Sequence, residues 1–125
     1  MKYEGKTKEI IKCAFEVHNV LGFGFLEKVY ENAFVSELKR SGFKVEQQKL
    51  LNVYYKDEIA GEYFADIVVD DEIIIEVKSV NNLAKEHEIQ LVNYLSATKK
   101  DIGLLINFSK SVEVKRKTRI LENGF

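Results

Sequence analysis

Between Ile73 and Ser79 the chain reads Ile-Ile-Ile-Glu-Val-Lys-Ser, a strand pattern apolar enough for the middle of a sheet that nevertheless carries two opposite charges. Strand side chains alternate, so Glu76 and Lys78 point to one face while Ile75 and Val77 point to the other. The preceding strand pattern, Tyr63 to Val69, repeats the anomaly with one acid, Asp66, among apolar and aromatic residues. In a hairpin, opposing Asp66 to Glu76 centres the pairing on residue 71 and demands an odd-numbered loop or a bulge. A two-residue turn at Asp70 and Asp71 would instead oppose Asp66 to Ile75. A site shared by the two carboxylates therefore requires a three-residue turn or an irregularity near Asp66. Taken alone, Glu76 and Lys78 read as a simple ion pair on a solvated face, since short motif matches are common by accident.

The rest of the chain is read from its periodicity, since it has no proline, no repeat and no low-complexity segment. From Thr7 to about Leu21, Ile10, Ile11, Ala14, Phe15 and His18 recur at helical spacing, and Gly22 with Gly24 ends the helix. A second helix runs from about Leu26 to Arg40, with Leu26, Val29, Tyr30, Ala33, Phe34 and Leu38 on one side and Gly42 at its end. β-Branched and aromatic residues then dominate, and Phe43–Gln48, Leu50–Tyr55, Tyr63–Val69 and Ile73–Val80 read as strands. Turns are marked by Asp57 with Glu58 and by Asp70 with Asp71. Helical spacing returns from about Leu83 to Thr98, with Leu91, Val92 and Leu95 facing inward. Ile102–Phe108 reads as a buried strand, and Ser111–Ile120 as a weak one. The order suits an α/β fold with a central mixed sheet flanked by helices, in which the strands near Ile73 and Ile102 are parallel neighbours.

At 125 residues the sequence has the length of a single domain, 1–125, and its 46% hydrophobic and 31% charged content is that of a globular protein. No stretch approaches the ~18 unbroken apolar residues of a membrane span, and the charged N-terminus lacks a following apolar signal region, as expected of a cytoplasmic protein. Cys13 has no partner for a disulfide or a zinc knuckle. His18 and His87 form no HExxH pattern. Nineteen basic residues against twenty acidic ones leave a formal charge of −1, so a polyanion must be met by a local patch.

Two carboxylates held a few ångströms apart repel, and a divalent cation is their natural compensation. Magnesium, with manganese as a substitute, prefers oxygen ligands and keeps several waters, which fits Asp66, Glu76 and a backbone carbonyl such as that of Val77. A metal-bound water is nucleophilic near neutral pH, and Lys78 would orient it or stabilise the phosphorus centre. This constellation suits phosphodiester hydrolysis better than acyl transfer, for which no Ser/His/Asp or Cys/His arrangement is evident.

Asp66, then Glu76-Val77-Lys78, then a helix bearing Gln90 resembles the metal-dependent PD-(D/E)XK nuclease superfamily, with its restriction-endonuclease-like core. More narrowly, Gly24-Phe25-Leu26-Glu27-Lys28-Val29-Tyr30 resembles the pattern that names the GxxExxY family within it. The likeness runs from the first helix through Leu104-Leu105-Ile106-Asn107-Phe108, and Ala65 stands where the superfamily carries a proline before the acid. The resemblance implies that Glu27 assists the metal directly or through water; its own position also fits an exposed helix N-terminal acid stabilised by the helix dipole. It further implies that Gln90 approaches the metal site and positions water or phosphate.

His87, Gln90 and Tyr94 share one helical face, so His87 and Tyr94 are candidates for substrate contact. Lys115, Arg116, Lys117 and Arg119, with Lys110, could grip phosphate oxygens or form a charged solvated edge strand. The expected function is Mg-dependent cleavage of nucleic acid, DNA before RNA. The rivals are a non-catalytic nucleic-acid-binding module of the same fold and a protein-interaction scaffold. A homodimer with two sites would extend the limited DNA surface that so small a chain covers.

Overall fold

A computed structural model describes residues 3–119. Its elements are α1 (Glu4–Leu21), α2 (Glu27–Arg40), β1 (Val45–Tyr55), β2 (Glu58–Val69), β3 (Ile73–Lys78), α3 (Lys85–Thr98), β4 (Ile102–Phe108) and β5 (Val112–Thr118). The five strands lie in the order β1-β2-β3-β4-β5. Neighbours are antiparallel except β3 and β4, which run parallel and are joined through α3, as the crossover helix requires. Among the described residues no helix is long and apolar enough to cross a membrane.

The sheet buries both faces. Ile10, Ala14 and Val17 of α1 and Tyr30, Phe34 and Leu38 of α2 pack on one face, against Ile67, Ile75, Val77, Leu104 and Ile106 among others. Leu91 and Leu95 of α3 pack on the opposite face, against Tyr63, Ala65, Val68, Ile74 and Leu105. β4 is buried along its whole length, which accounts for its uninterrupted apolar run.

Several expectations are corrected. The two strands anticipated over 43–55 are one, β1, bent by a left-handed backbone at Gln48 (φ 51°). The β1–β2 turn falls at Lys56 and Asp57, one residue earlier than expected, because Tyr55 pairs with Glu58. Leu26 and Val29 do not face inward: α2 begins at Glu27 with Leu26 as an extended cap, so Leu26 is 79% exposed and the buried stripe runs through Tyr30, Phe34 and Leu38. Phe15 is likewise exposed, and Cys13 and Val17 take its place in the α1 stripe. The last strand ends at Thr118, and Ile120 lies outside the described residues.

The seat of α3 depends on one small residue. A Cβ at Gly103 would stand 2.9 Å from Leu91 Cδ1 and 3.2 Å from the Ile74 carbonyl oxygen, and Leu91 is itself buried. Gly103→Ala should therefore destabilise the domain by about 1–3 kcal/mol in urea titration; an unchanged midpoint would show that α3 does not rest on β4 in this way.

Candidate active site

β2 and β3 pair only at Ile67–Ile75, Val68–Ile74 and Val69–Ile73, a register centred on residue 71. The turn thus holds three residues, Asp70, Asp71 and Glu72, and Asp66 and Glu76 are the next opposed positions. Asp70 and Asp71 both have positive φ (53° and 56°), which aspartate tolerates better than most residues, and the Glu72 amide closes the turn on the Val69 carbonyl at 3.0 Å.

Beyond Ile67 and Ile75 side chains replace the ladder. The Asp66 amide donates to Glu76 Oε2 at 2.9 Å, and the Val77 amide donates to Asp66 Oδ2 at 2.9 Å. Side-chain alternation fails at the same place: Ile67 and Val69 pack on the α1–α2 face, but Ala65 and Tyr63, also odd-numbered, pack on the α3 face. The matching break in β1 is Gln48, since Val45 packs with the first layer and Leu51 with the second. Gln48 then reaches Asp66 Oδ1 at 3.2 Å. Both the odd-numbered turn and the irregularity that a shared carboxylate site requires are present.

Helix α2 supplies a further acid that sequence reading overlooked. Glu31 is 2% exposed and accepts hydrogen bonds from Lys28 Nζ (3.0 Å), Gln47 Nε2 (2.7 Å) and Gln48 Nε2 (3.1 Å to Oε2). Its signal was its spacing, because it precedes Val35 and Leu38 by four and seven residues on the buried stripe. Glu27, one turn earlier, lies in the first turn of α2 with an exposed side chain, and it feels the charges of Lys78, Asp66, Glu31 and His87.

The start of α2 is fixed by Tyr30. Its hydroxyl donates to the Gly22 carbonyl at 2.6 Å and accepts from the Phe25 amide at 3.2 Å, while its ring stacks on Phe108. Gly24 takes φ 109° in the same loop, a conformation suited to glycine. Ser79 Oγ donates to the Phe25 carbonyl at 3.1 Å, tying the loop to the end of β3 next to Lys78. Buried Asn107 holds that end from the other side, accepting from the Val80 amide at 2.9 Å and donating to the Val80 carbonyl at 2.8 Å.

The electrostatics follow from burial and proximity. Glu76 is pushed up to about 7, first by burial and then by the Asp66 charge, against the help of the Asp66 amide, the Tyr63 hydroxyl and Lys78. Burial, then the Glu31 charge, raise Asp66, opposed by the Val77 amide, the Gln48 amide and Lys78. Glu27, though exposed, is also raised, chiefly by partial loss of its hydration at the end of β3, with Lys78 opposing and Asp66 and Glu31 adding.

A divalent cation fits this donor set in part. Asp66 and Glu76 are opposed, they disfavour each other's ionisation, and hydrogen bonds occupy only some of their lone pairs. Among the described residues, however, no three Asp, Glu, His or Cys groups form a ligand cluster, so Glu27 does not complete a cage with the pair as they stand. Two carboxylates and a carbonyl suit an ion that keeps much of its water.

The remaining expected residues lie around this fork or away from it. Gln90 is exposed and donates to Tyr94 Oη at 3.2 Å. Tyr94 stacks flat on Tyr63, with ring centroids 3.4 Å apart. His87 Nδ1 accepts from the Ala84 amide at 3.2 Å, capping α3. Together with Glu86, Ile89 and Asn93 these three line a groove of about 450 Å³ that neither carboxylate borders. The basic tail is not gathered into one patch. Lys115 and Lys117 oppose Leu105 and Gly103, whereas Val114, just before them, packs on the α1–α2 face. Lys117 is paired with Glu88 at 2.5 Å and Arg119 with Asp101 at 3.1 Å. Arg116 opposes Leu104, on the α1–α2 side.

The sequence matches the family model of the PD-(D/E)XK nuclease superfamily over residues 4–119. The chain belongs to that superfamily. Among solved structures its fold is similar to that of SSO0001 (TM-score 0.60, 19% identity), covering 97% of this chain and 62% of that one. It also resembles the alkaline exonuclease LHK-Exo from Laribacter hongkongensis (TM-score 0.51, 15% identity), covering 85% of this chain and 76% of that one. The complex of that exonuclease with dAMP matches to the same extent, at 14% identity. These likenesses concern the superfamily fold. No curated protein matches the sequence.

One consequence of the site is measurable on the metal-free protein. Because the folded state holds the Glu76 proton more tightly than the unfolded state, the stability this group contributes is fully present below pH 4.5 and is lost as pH rises through 7. The loss from this group is on the order of 3 kcal/mol at about 1.4 kcal/mol per unit. Urea midpoints should therefore drop between pH 5 and 8, and Glu76→Gln should flatten most of that slope; a wild-type profile that is level over this range would contradict the burial of the pair.

Proposed function

We propose that this protein is a divalent-metal-dependent nuclease that hydrolyses phosphodiester bonds, of the GxxExxY type within its superfamily, acting as a single domain in the cytoplasm. The observation that carries the reading is the opposition of Asp66 and Glu76 at the point where β2 parts from β3. A purely structural ion pair would not need a second acid there, still less one whose backbone amide is spent on the first. Asp66, Glu76 and the Val77 carbonyl would hold the ion, magnesium being the best fit and manganese a substitute. Such an ion supplies a nucleophilic water near neutral pH and offsets charge on the phosphate.

The chain's own groups then divide the remaining work. Lys78 follows Glu76 on the same strand and its charge reaches Asp66, Glu76 and Glu27; its ammonium orients the attacking water and stabilises the phosphorus centre. Glu27 contributes through water from the start of α2. Gln90, with amide donor and acceptor, positions water or phosphate from α3. His87 Nε2 and Lys115 offer phosphate contacts beside it, whereas Lys117 and Arg119 would have to leave internal ion pairs to do so. DNA is favoured over RNA because the exonuclease with a similar fold was captured with a deoxynucleotide.

Asp66→Ala and Glu76→Ala should each abolish Mg²⁺-dependent cleavage of an oligonucleotide, and Lys78→Ala should lower kcat by about 10²-fold or more. All three should keep the wild-type circular dichroism spectrum. Cleavage that survives in either carboxylate variant would remove the assignment.

A further inference from the structure

We propose that Phe64, with Leu50 beside it, is a platform on which an unpaired base next to the scissile phosphate stacks, so that the preferred substrate is single-stranded or frayed at the cut. The inference rests on the nuclease reading and gives it a substrate class.

The break at Asp66 decides where Phe64 points. Tyr63 and Ala65 pack on the α3 face, so Phe64, between them, faces the α1–α2 side. Leu50 is its cross-strand partner. Since the next residue, Leu51, packs with the α3 layer, Leu50 faces the same way as Phe64. The helical layer does not bury this pair. It meets β1 where Glu31 of α2 takes Gln47 and Gln48, and β3 has already parted from β2 at Ile67. Phe64 is 54% exposed and Leu50 44%.

The pair adjoins the carboxylates. Phe64 precedes Asp66 by two residues, about 6–7 Å along a strand, which is comparable with the reach from a phosphate to the base of its own nucleotide. A phosphate drawn to Asp66 and Glu76 by a cation therefore brings a flanking base over the Phe64 ring. Nucleic acid is the substrate that superfamily membership implies, and every base offers a π-face to a flat aromatic side chain. Glu62, exposed at the next position on the same face, repels a phosphate there. The surface thus accepts a neutral base rather than the backbone. A base inside a duplex is already stacked on both sides, so only an unpaired one can lie on Phe64. For the fold alone, bare apolar surface on a hairpin is a liability, since it invites association.

The test compares wild type with Phe64→Ala, Phe64→Leu and Phe64→Trp. Phe15→Ala is the control, removing a ring that is 46% exposed on α1. Binding of a fluorescein-labelled 20-nucleotide single strand is measured by anisotropy in Ca²⁺, beside the blunt duplex of the same sequence. Kd for the single strand should rise about 5- to 100-fold in Phe64→Ala and at least about 5-fold in Phe64→Leu, and stay within about 2-fold in Phe64→Trp and Phe15→Ala. Duplex affinity should change by less than about 2-fold throughout. In Mg²⁺, an abasic nucleotide is moved through the strand one position at a time. At one position beside the cleaved bond it should lower wild-type kcat/KM and leave no further loss to Phe64→Ala, because both remove the same stack.

A leucine variant equal to wild type overturns the inference, since apolar bulk would then suffice. Losses that add at every abasic position overturn it as well. So does a wild-type dimer that Phe64→Ala turns into a monomer in sedimentation velocity, which would make this face a contact between two copies. Leucine and tryptophan keep an apolar group against Leu50, so these two variants decide the case if the alanine variant unfolds. If wild type cleaves and no Phe64 variant differs from it, the inference falls and the nuclease reading stands. If wild type binds the single strand but cleaves nothing, the nuclease reading falls, and the order of the Kd values still decides the stack. If wild type binds no nucleic acid, both fall.

Discussion

Two carboxylates facing each other across a sheet oppose folding, and the backbone around Asp66 and Glu76 is what offsets that opposition. Each acid accepts an amide that an uninterrupted ladder would have given to a carbonyl. The exchange ends the pairing of β2 with β3 and opens a fork, which lets polar groups from both layers reach the same spot. Buried charge in a protein usually calls for full compensation. Here the compensation is incomplete, as the upward displacement of Glu76, Asp66 and Glu27 shows. A site with an excess of negative charge and spare lone pairs is prepared for a cation.

The rest of the molecule serves to hold that fork. On one side α2 brings Glu31, whose carboxylate gathers Gln47, Gln48 and Lys28 and so fixes the bend in β1 from which Gln48 reaches Asp66. The loop before α2 is bound to Tyr30 and to Ser79, which places the first turn of the helix against the end of β3. The three named positions of the Gly24, Glu27, Tyr30 motif thus have distinct physical tasks: a left-handed turn, a charge at the mouth of the site, and an anchor. On the other side α3 closes onto Gly103 and stacks Tyr94 on Tyr63.

Much of this could be read in advance, for reasons that can be named. The 66–76 register, centred on residue 71, was one of two that the sequence allowed, singled out only by the demand of a shared site, and the parallel β3–β4 pair follows from the helix between them. The second is a property of regular elements, which periodicity reports. An irregularity near Asp66 was one of the two outcomes a shared site required, but the bend at Gln48 escaped notice because a non-glycine residue with positive φ leaves no local mark; its cause is tertiary, in Glu31 and Asp66. The placement of Tyr63 was hidden for the same reason, since counting alternation through Asp66 assigns it to the wrong face. Glu31 was legible in its spacing but was passed over as a charge on a helix. Leu26 and Val29 were placed inside because the helix was started one residue early, which turned its apolar stripe.

The account stands on one hard cation seated between the β2 and β3 acids. A crystal soaked in manganese chloride and measured for anomalous scattering tests that without assuming any reaction. It requires a peak within about 2.0–2.3 Å of one Asp66 oxygen and one Glu76 oxygen. A saturated soak with no peak at the fork, or with manganese held only elsewhere, would contradict it.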